Sequence, residues 1–399
     1  MFLQKKSYQE NIDIKNVDEK TSIFRLVEFG LIPTQVINKD CPKREKKKDV
    51  KEKEITEYTI NNTNKIKVIA IKHDSSNDKN MKNSEGEKRK LLKVDILNER
   101  FFMLYNNDTI IESKIGSSSE DINCVYNIKS FDNKVNEKYA EKQNNKIIAF
   151  CNNGMTIIIG GFYDGKLEII NLEDKIEKER IDIFPFSEEE PILCIAINNE
   201  ETIMILGNSL GNIAIYQIDL ENNKRELYKK IFNLMSPISD ININNELNMF
   251  AISTVDGFIS LYTWPLCKLV RSIKVPINEE NNGKINNVFL SESSLPSIII
   301  VLENDNNSEI ISYSINGNFL ACIKEDKDII SPLKIKDINS YEYLVYYSDS
   351  QIKIINLPSL SLQTIFKDIH NVTSLCLNNE LTAIYTFNED GTQIQVIRS

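Results

Sequence analysis

The stretch TIMILGNSLGNIAIYQI (202–218) is two apolar runs around a turn, and MFAISTVDGFISLYTW (249–264) repeats it one unit later. Working outward, TIIIGGFYDGKLEIINL (156–172) precedes the pair, and YLVYYSDSQIKIINL (343–357) and AIYTFNEDGTQIQVI (383–397) follow it. Each copy reads as a β-hairpin, because β-branched residues favour strands and Asp, Asn and Gly favour tight turns. The turn positions keep step. Gly165, Gly211 and Gly257 stand 46 residues apart, Ser350 lies two units further on, and Gly391 one unit beyond that. The remaining turn residues of the series are Asp108, Asp164, Asp256 and Asp349.

A period of about 40–45 residues with several strands per unit points to WD-repeat-type β-propeller blades. Units start near Ile147, Ile192, Ile238, Ile285, Leu333 and Val372, and LLKVDIL, RFFMLY and TIIESKI (91–115) form one before them, making seven. The polar stretch 132–146 reads as a surface insertion. The fifth unit has an enlarged turn, and the seventh ends without a fourth strand. KIKVIAI (65–71) has no unit of its own, and an open sheet edge is a liability that ring closure removes. Residues 65–71 are therefore expected to complete the seventh unit. The expected fold is all-β, a seven-bladed propeller over 65–399, with a short α-helical N-terminal extension over 1–45 and a charged linker over 46–64. Val17, Ile23, Phe24 and Val27 show near-helical spacing, with Gly30 as the stop.

Composition narrows the function. The 399 residues carry a formal net charge of −10, with 27% charged and 41% hydrophobic residues. An acidic chain is a poor default ligand for nucleic acid, whose affinity rests on Lys and Arg at phosphates. No apolar run approaches the ~18 residues of a membrane span, and a polar KKSYQENIDIK (5–15) follows Met1 where a signal peptide would be apolar. The seven cysteines (41, 124, 151, 194, 267, 322, 376) include no CxxC pair and sit mostly in apolar runs. They read as buried, reduced thiols of a cytoplasmic protein.

Catalytic and metal motifs do not stand out, and no cofactor is implied. His73 opens a polar loop. His370 precedes the seventh unit and lies 20 residues before Asp390, the arrangement in which WD-type blades lock a loop to a hairpin turn, so the two are read as a structural pair. The Asp residues at the turns read as turn formers rather than metal ligands. Trp264, the only tryptophan, is expected to pack between blades. Phe162 and Tyr163, at a hairpin turn, are the candidate rim contacts for a partner.

The segment LVEFGLIPTQVINKDCPKRE (26–45) resembles the end of the BEACH domain, matching it at Phe29, Gly30, Pro33, Gln35, Pro42 and Arg44. Leu31-Ile32 stand where that family has Gln-Thr, and Asp40-Cys41 where it has Pro-His. GGFYDGKLEIINL (160–172) and ISDININNELNMFAISTVDGFISLYTWPLCKLVRSI (238–273) are similar to the propeller that follows BEACH. The resemblance, to the neurobeachin-like and Chediak-Higashi-like family, implies that 1–45 is a BEACH remnant. The chain then reads as the C-terminal part of a larger protein or a truncated gene. The implied role is a non-enzymatic scaffold in vesicle and endolysosomal traffic or autophagy. It would bind proteins or peptides on the propeller rim and associate peripherally with endomembranes through them. The alternative is a WD-repeat adaptor in a ubiquitin-ligase or RNA-processing assembly.

Overall fold

The computed structural model describes residues 56–59, 66–69, 90–97, 100–105, 109–114, 122–127, 147–151, 156–160, 167–171, 186, 191–219, 224–232, 234, 236–277, 283–293, 295–305, 307–337, 339–378, 383–389 and 394–398. Every element among them is a β-strand. The N-terminal extension over 1–45, with its expected helix, and the insertion 132–146 lie outside the described residues.

Two short strands come first, β1 (Thr56–Thr59) and β2 (Ile66–Ile69). The first sheet is β3 (Leu91–Leu97), β4 (Arg100–Tyr105), β5 (Thr109–Lys114) and β6 (Ile122–Asn127). The second is β7 (Ile147–Phe150), β8 (Thr156–Gly160) and β9 (Glu168–Asn171). The third is β10 (Ile192–Ile197), β11 (Ile203–Asn208), β12 (Ile213–Asp219) and β13 (Lys224–Ile231). The fourth is β14 (Ile238–Asn244), β15 (Met249–Thr254), β16 (Phe258–Thr263) and β17 (Leu269–Lys274). The fifth is β18 (Lys284–Ser291), β19 (Ser297–Glu303), β20 (Ser308–Ser314) and β21 (Phe319–Glu325). The sixth is β22 (Ile330–Lys336), β23 (Glu342–Ser348), β24 (Gln351–Asn356) and β25 (Ser361–Lys367), with β1 added outside β25. The seventh is β26 (Ser374–Leu377), β27 (Ala383–Phe387) and β28 (Ile394–Arg398), with β2 added outside β28.

Within each sheet consecutive strands pair antiparallel, and no sheet closes on itself. Burial follows strand order. The second strands β11 and β15 are buried along their whole length, whereas the fourth strands β13 and β17 are mostly exposed. A strand buried on both faces reads as a continuous apolar run, which is why IMILG and MFAI carry no polar alternation. The register is repeated too. A bulge leaves Asn123, Tyr228, Val270, Leu320 and Gln363 unpaired at the same place in five fourth strands. Such bulges raise local twist and recur at sheet edges.

The sheets pack face to face. Ile158 and Leu167 of the second meet Met204 and Tyr216 of the third. Ile205 and Ile215 of the third meet Phe250 and Ile252 of the fourth, and Leu261 of the fourth meets Val288 and Ile300 of the fifth. Val301 and Ile310 join Leu344 and Tyr346 of the sixth, and Val345 and Ile352 join Leu375 and Ile384 of the seventh. The seventh sheet then packs on the first. Phe101 meets the Tyr385 ring edge-on at 5.0 Å and the Phe387 ring at 5.2 Å.

The two N-terminal strands answer separate questions. β2 pairs antiparallel with β28, Ile66 facing Ile397 and Ile69 facing Ile394. β1 lies within the segment read as a charged linker, yet it forms a strand, parallel to β25. TEYT is rich in β-formers, and the free edge of β25 supplies the hydrogen bonds that a four-residue strand cannot find alone.

The turn residues that fall among the described positions fit this scheme. Gly257 has a φ of 88° and closes the turn with its N–H on Thr254 O. Asp349 and Ser350 both have positive φ, the two-residue turn whose twist matches a hairpin. Gly207 serves packing instead. A Cβ there would lie 2.6 Å from Cys194 Sγ and 2.7 Å from Ile238 Cγ2, at the interface of the third and fourth sheets. Gly207→Ala is therefore expected to lower stability by about 1–3 kcal/mol. Urea denaturation reads this, and an unchanged midpoint would mean that the two sheets do not approach as described.

Candidate functional site

The first strand of each sheet is an edge strand, and in the fourth, fifth and sixth sheets these strands carry polar groups that link neighbouring sheets. In β14 polar and apolar residues alternate, so Asp240, Asn242 and Asn244 share one face. Asp240 Oδ2 accepts the Val288 N–H at 2.8 Å, and Asn242 Oδ1 accepts the Leu290 N–H at 3.0 Å. Asn244 Nδ2 donates to Leu290 O at 3.4 Å, and Lys334 Nζ of β22 donates to the same carbonyl at 2.7 Å. Side chains of the fourth and sixth sheets thus occupy backbone groups that the fifth leaves open at its edge.

Charges accompany this ladder. Lys334 Nζ also binds Glu342 Oε1 at 2.9 Å, and the Glu342 side chain is wholly buried. Ser291 Oγ and the Ser293 N–H donate to the other Glu342 oxygen. Lys336 lies between Glu292 at 2.5 Å and Glu246 at 2.9 Å. Burial alone would pull the Lys336 ammonium down, but its hydrogen bonds to Glu292 and Glu246 outweigh that and raise its pKa. A second buried pair joins Glu325 to Lys353 at 2.6 Å, with Tyr346 OH donating to Glu325 at 2.8 Å.

Asp240 is strongly perturbed. Burial raises its carboxyl from 3.8 to about 7, against the opposing effect of the Val288 and Ile241 N–H groups and of the Lys93 charge. Lys93 lies on β3, the first strand of the first sheet. Burial also holds the Cys151 thiol near 12 and the Cys194 thiol well above its ordinary value, Asp240 adding to the latter. Both are protonated at neutral pH and lack the thiolate a nucleophile needs. Among the described residues no three His, Cys, Asp or Glu side chains converge as metal ligands.

The residues singled out from sequence fall in three groups. Gly211, Asp256, Gly257 and Asp349 occupy turns between second and third strands. Trp264 is half-buried and meets the Tyr228 ring of the neighbouring sheet at 5.3 Å, so it packs between sheets. His370 is exposed, its Nδ1 3.2 Å from Ser350 Oγ. Asp390 lies outside the described residues, as do Asp108, Phe162, Tyr163, Asp164, Gly165, Gly391, His73 and the motif Phe29, Gly30, Pro33, Gln35, Pro42 and Arg44. In the fourth unit, Ser236 and Asp256 have the separation of His370 and Asp390, and the Asp256 N–H donates to Ser236 Oγ at 3.4 Å. Reading the sequence for catalytic motifs missed the Asp240–Asn242–Asn244 face. Its signal was the alternation in DININ, which asks what the polar members bind.

Scanned against protein-family models, the sequence matches none, and no curated protein matches it. No helix of the described residues is long and apolar enough to cross a membrane.

Two outcomes follow from the polar ladder. Between pH 3.8 and about 7 the folded protein holds a proton on Asp240 that the unfolded chain has lost, so this group makes stability fall as pH rises through that window. Asp240→Asn keeps an oxygen for the Val288 N–H. It should be more stable than the parent by about 1–4 kcal/mol at pH 8, with the difference vanishing near pH 4. Melting curves across that range read it, and a pH-independent difference would contradict the buried carboxyl. Lys334→Met strands Glu342 without its cation and should cost about 3–5 kcal/mol in denaturant titrations, partly recovered by adding Glu342→Gln.

Proposed function

We propose that the seven sheets are blades of a ring-shaped WD-repeat-type β-propeller that acts as a non-enzymatic platform for protein partners. One observation carries the ring. The sheets pack in chain order from second to seventh, and the seventh packs on the first through Phe101, Tyr385 and Phe387. The contacts of Lys336 at the end of the sixth sheet's first strand with Glu292 and Glu246, at the ends of the fifth and fourth sheets' first strands, fit first strands that draw together. A ring of rigid sheets presents its loops on two rims, and loops on rigid scaffolds are where binding concentrates.

The cellular setting, membrane traffic through endolysosomal or autophagic compartments, rests on the resemblance of residues 26–45 to the end of the BEACH domain. The family comparison adds nothing to it. Affinity capture of the tagged full chain from its own cells tests the setting. Coat, autophagy or endolysosomal proteins should co-purify above a mock control. Recovery of ubiquitin-ligase or RNA-processing subunits in their place would favour the adaptor reading and overturn this one.

A further inference from the structure

The molecule already docks one extended segment on the outer edge of a sheet. β1 adds to β25 in parallel, along Thr364–Lys367, the straight stretch directly after the bulge at Gln363. The third sheet has the same geometry. Its outer strand β13 bulges at Tyr228, and Lys229, Lys230, Ile231 and Phe232 follow, but among the described residues no strand pairs with its outer edge. We propose that Lys229–Phe232 is a docking edge for an extended acidic peptide of a partner protein, which adds as a fifth strand parallel to β13.

The surroundings support this occupant. Leu227 is 47% exposed, Tyr228 43% and Phe232 57%, and Leu266 of the neighbouring sheet is 50% exposed. The groove between the sheets is held in shape. Tyr228 OH donates to Pro265 O at 3.0 Å, and Lys229 Nζ donates to Leu266 O at 3.3 Å and Cys267 O at 3.2 Å. β13 carries Lys224, Arg225, Lys229 and Lys230 against one acid, Glu226, in a chain of net charge −10. Lysines on an edge discourage a second, equally basic edge from pairing. For an acidic strand the same charges are attractive, and main-chain hydrogen bonds then supply affinity. An edge that was merely protected would not need the exposed apolar side chains beside it. The site requires only the third and fourth sheets, so it stands independently of ring closure.

Trp264 reports on the groove, because it is the only tryptophan in the chain and touches Tyr228. The full chain is titrated with a synthetic peptide of alternating Glu and Val. Emission should change saturably, and binding should weaken as salt is raised. N-methylation of alternate peptide nitrogens keeps the side chains and removes main-chain donors, and should weaken binding about tenfold or more. Lys230→Glu, with an unchanged circular dichroism spectrum, should weaken it as well. Absence of a saturable change, equal binding of the N-methylated peptide, or self-association of the chain through this edge instead would each overturn the proposal.

Discussion

A strand at the edge of a sheet leaves N–H and C=O groups open along one side, and a protein built from many small sheets multiplies such edges. In this chain the open edge of β18 is met by side chains from neighbouring sheets. Asp240 and Asn242 take the Val288 and Leu290 N–H groups, while Asn244 and Lys334 take the Leu290 carbonyl. The interaction is polar and directional, so it sets the offset of one sheet against the next. The apolar faces between them, such as Leu261 against Val288 and Ile300, could slide without it.

The outer edges are handled differently. There the bulges at Asn123, Tyr228, Val270, Leu320 and Gln363 interrupt the ladder. Two outer edges, those of the bulged β25 and of β28, are also covered by the chain's own β1 and β2. The same backbone chemistry thus yields three solutions: side-chain capping at the first strand β18, bulges in the fourth strands, and strand addition where a spare segment is within reach. Charge follows this division. The buried carboxylates Glu342 and Glu325 each have a lysine partner, Lys334 from the same sheet and Lys353 from across the sheet boundary, where an unpaired charge would be costly.

Much of the architecture was legible in the sequence because it repeats. Hairpins centred near Gly211, Gly257 and Ser350 could be read from apolar runs around turn residues, and TIMILG and MFAIST were recognisable as strands. The lack of a fourth strand after QIQVI pointed to an outside partner for KIKVIAI. What stayed illegible depends on contacts between units. DININ shows its alternation, but not that Asp240 and Asn242 serve a strand 48 residues away. TEYT looked like part of a charged linker because its strand exists only through pairing with β25. His370 was matched with Asp390 by spacing, and Asp390 lies outside the described residues; nothing in the sequence pointed to the Ser350 Oγ beside its Nδ1, from the sixth sheet's turn.

Amide hydrogen exchange at Val288 and Leu290 tests the capping of the β18 edge most directly. Both N–H groups face the outside of an edge strand, where open amides exchange fast unless something holds them. The account predicts protection close to that of the buried β19 amides, lost at Val288 in Asp240→Ala and at Leu290 in Asn242→Ala. Fast exchange at both amides in the parent protein, while β19 remains protected, would contradict it.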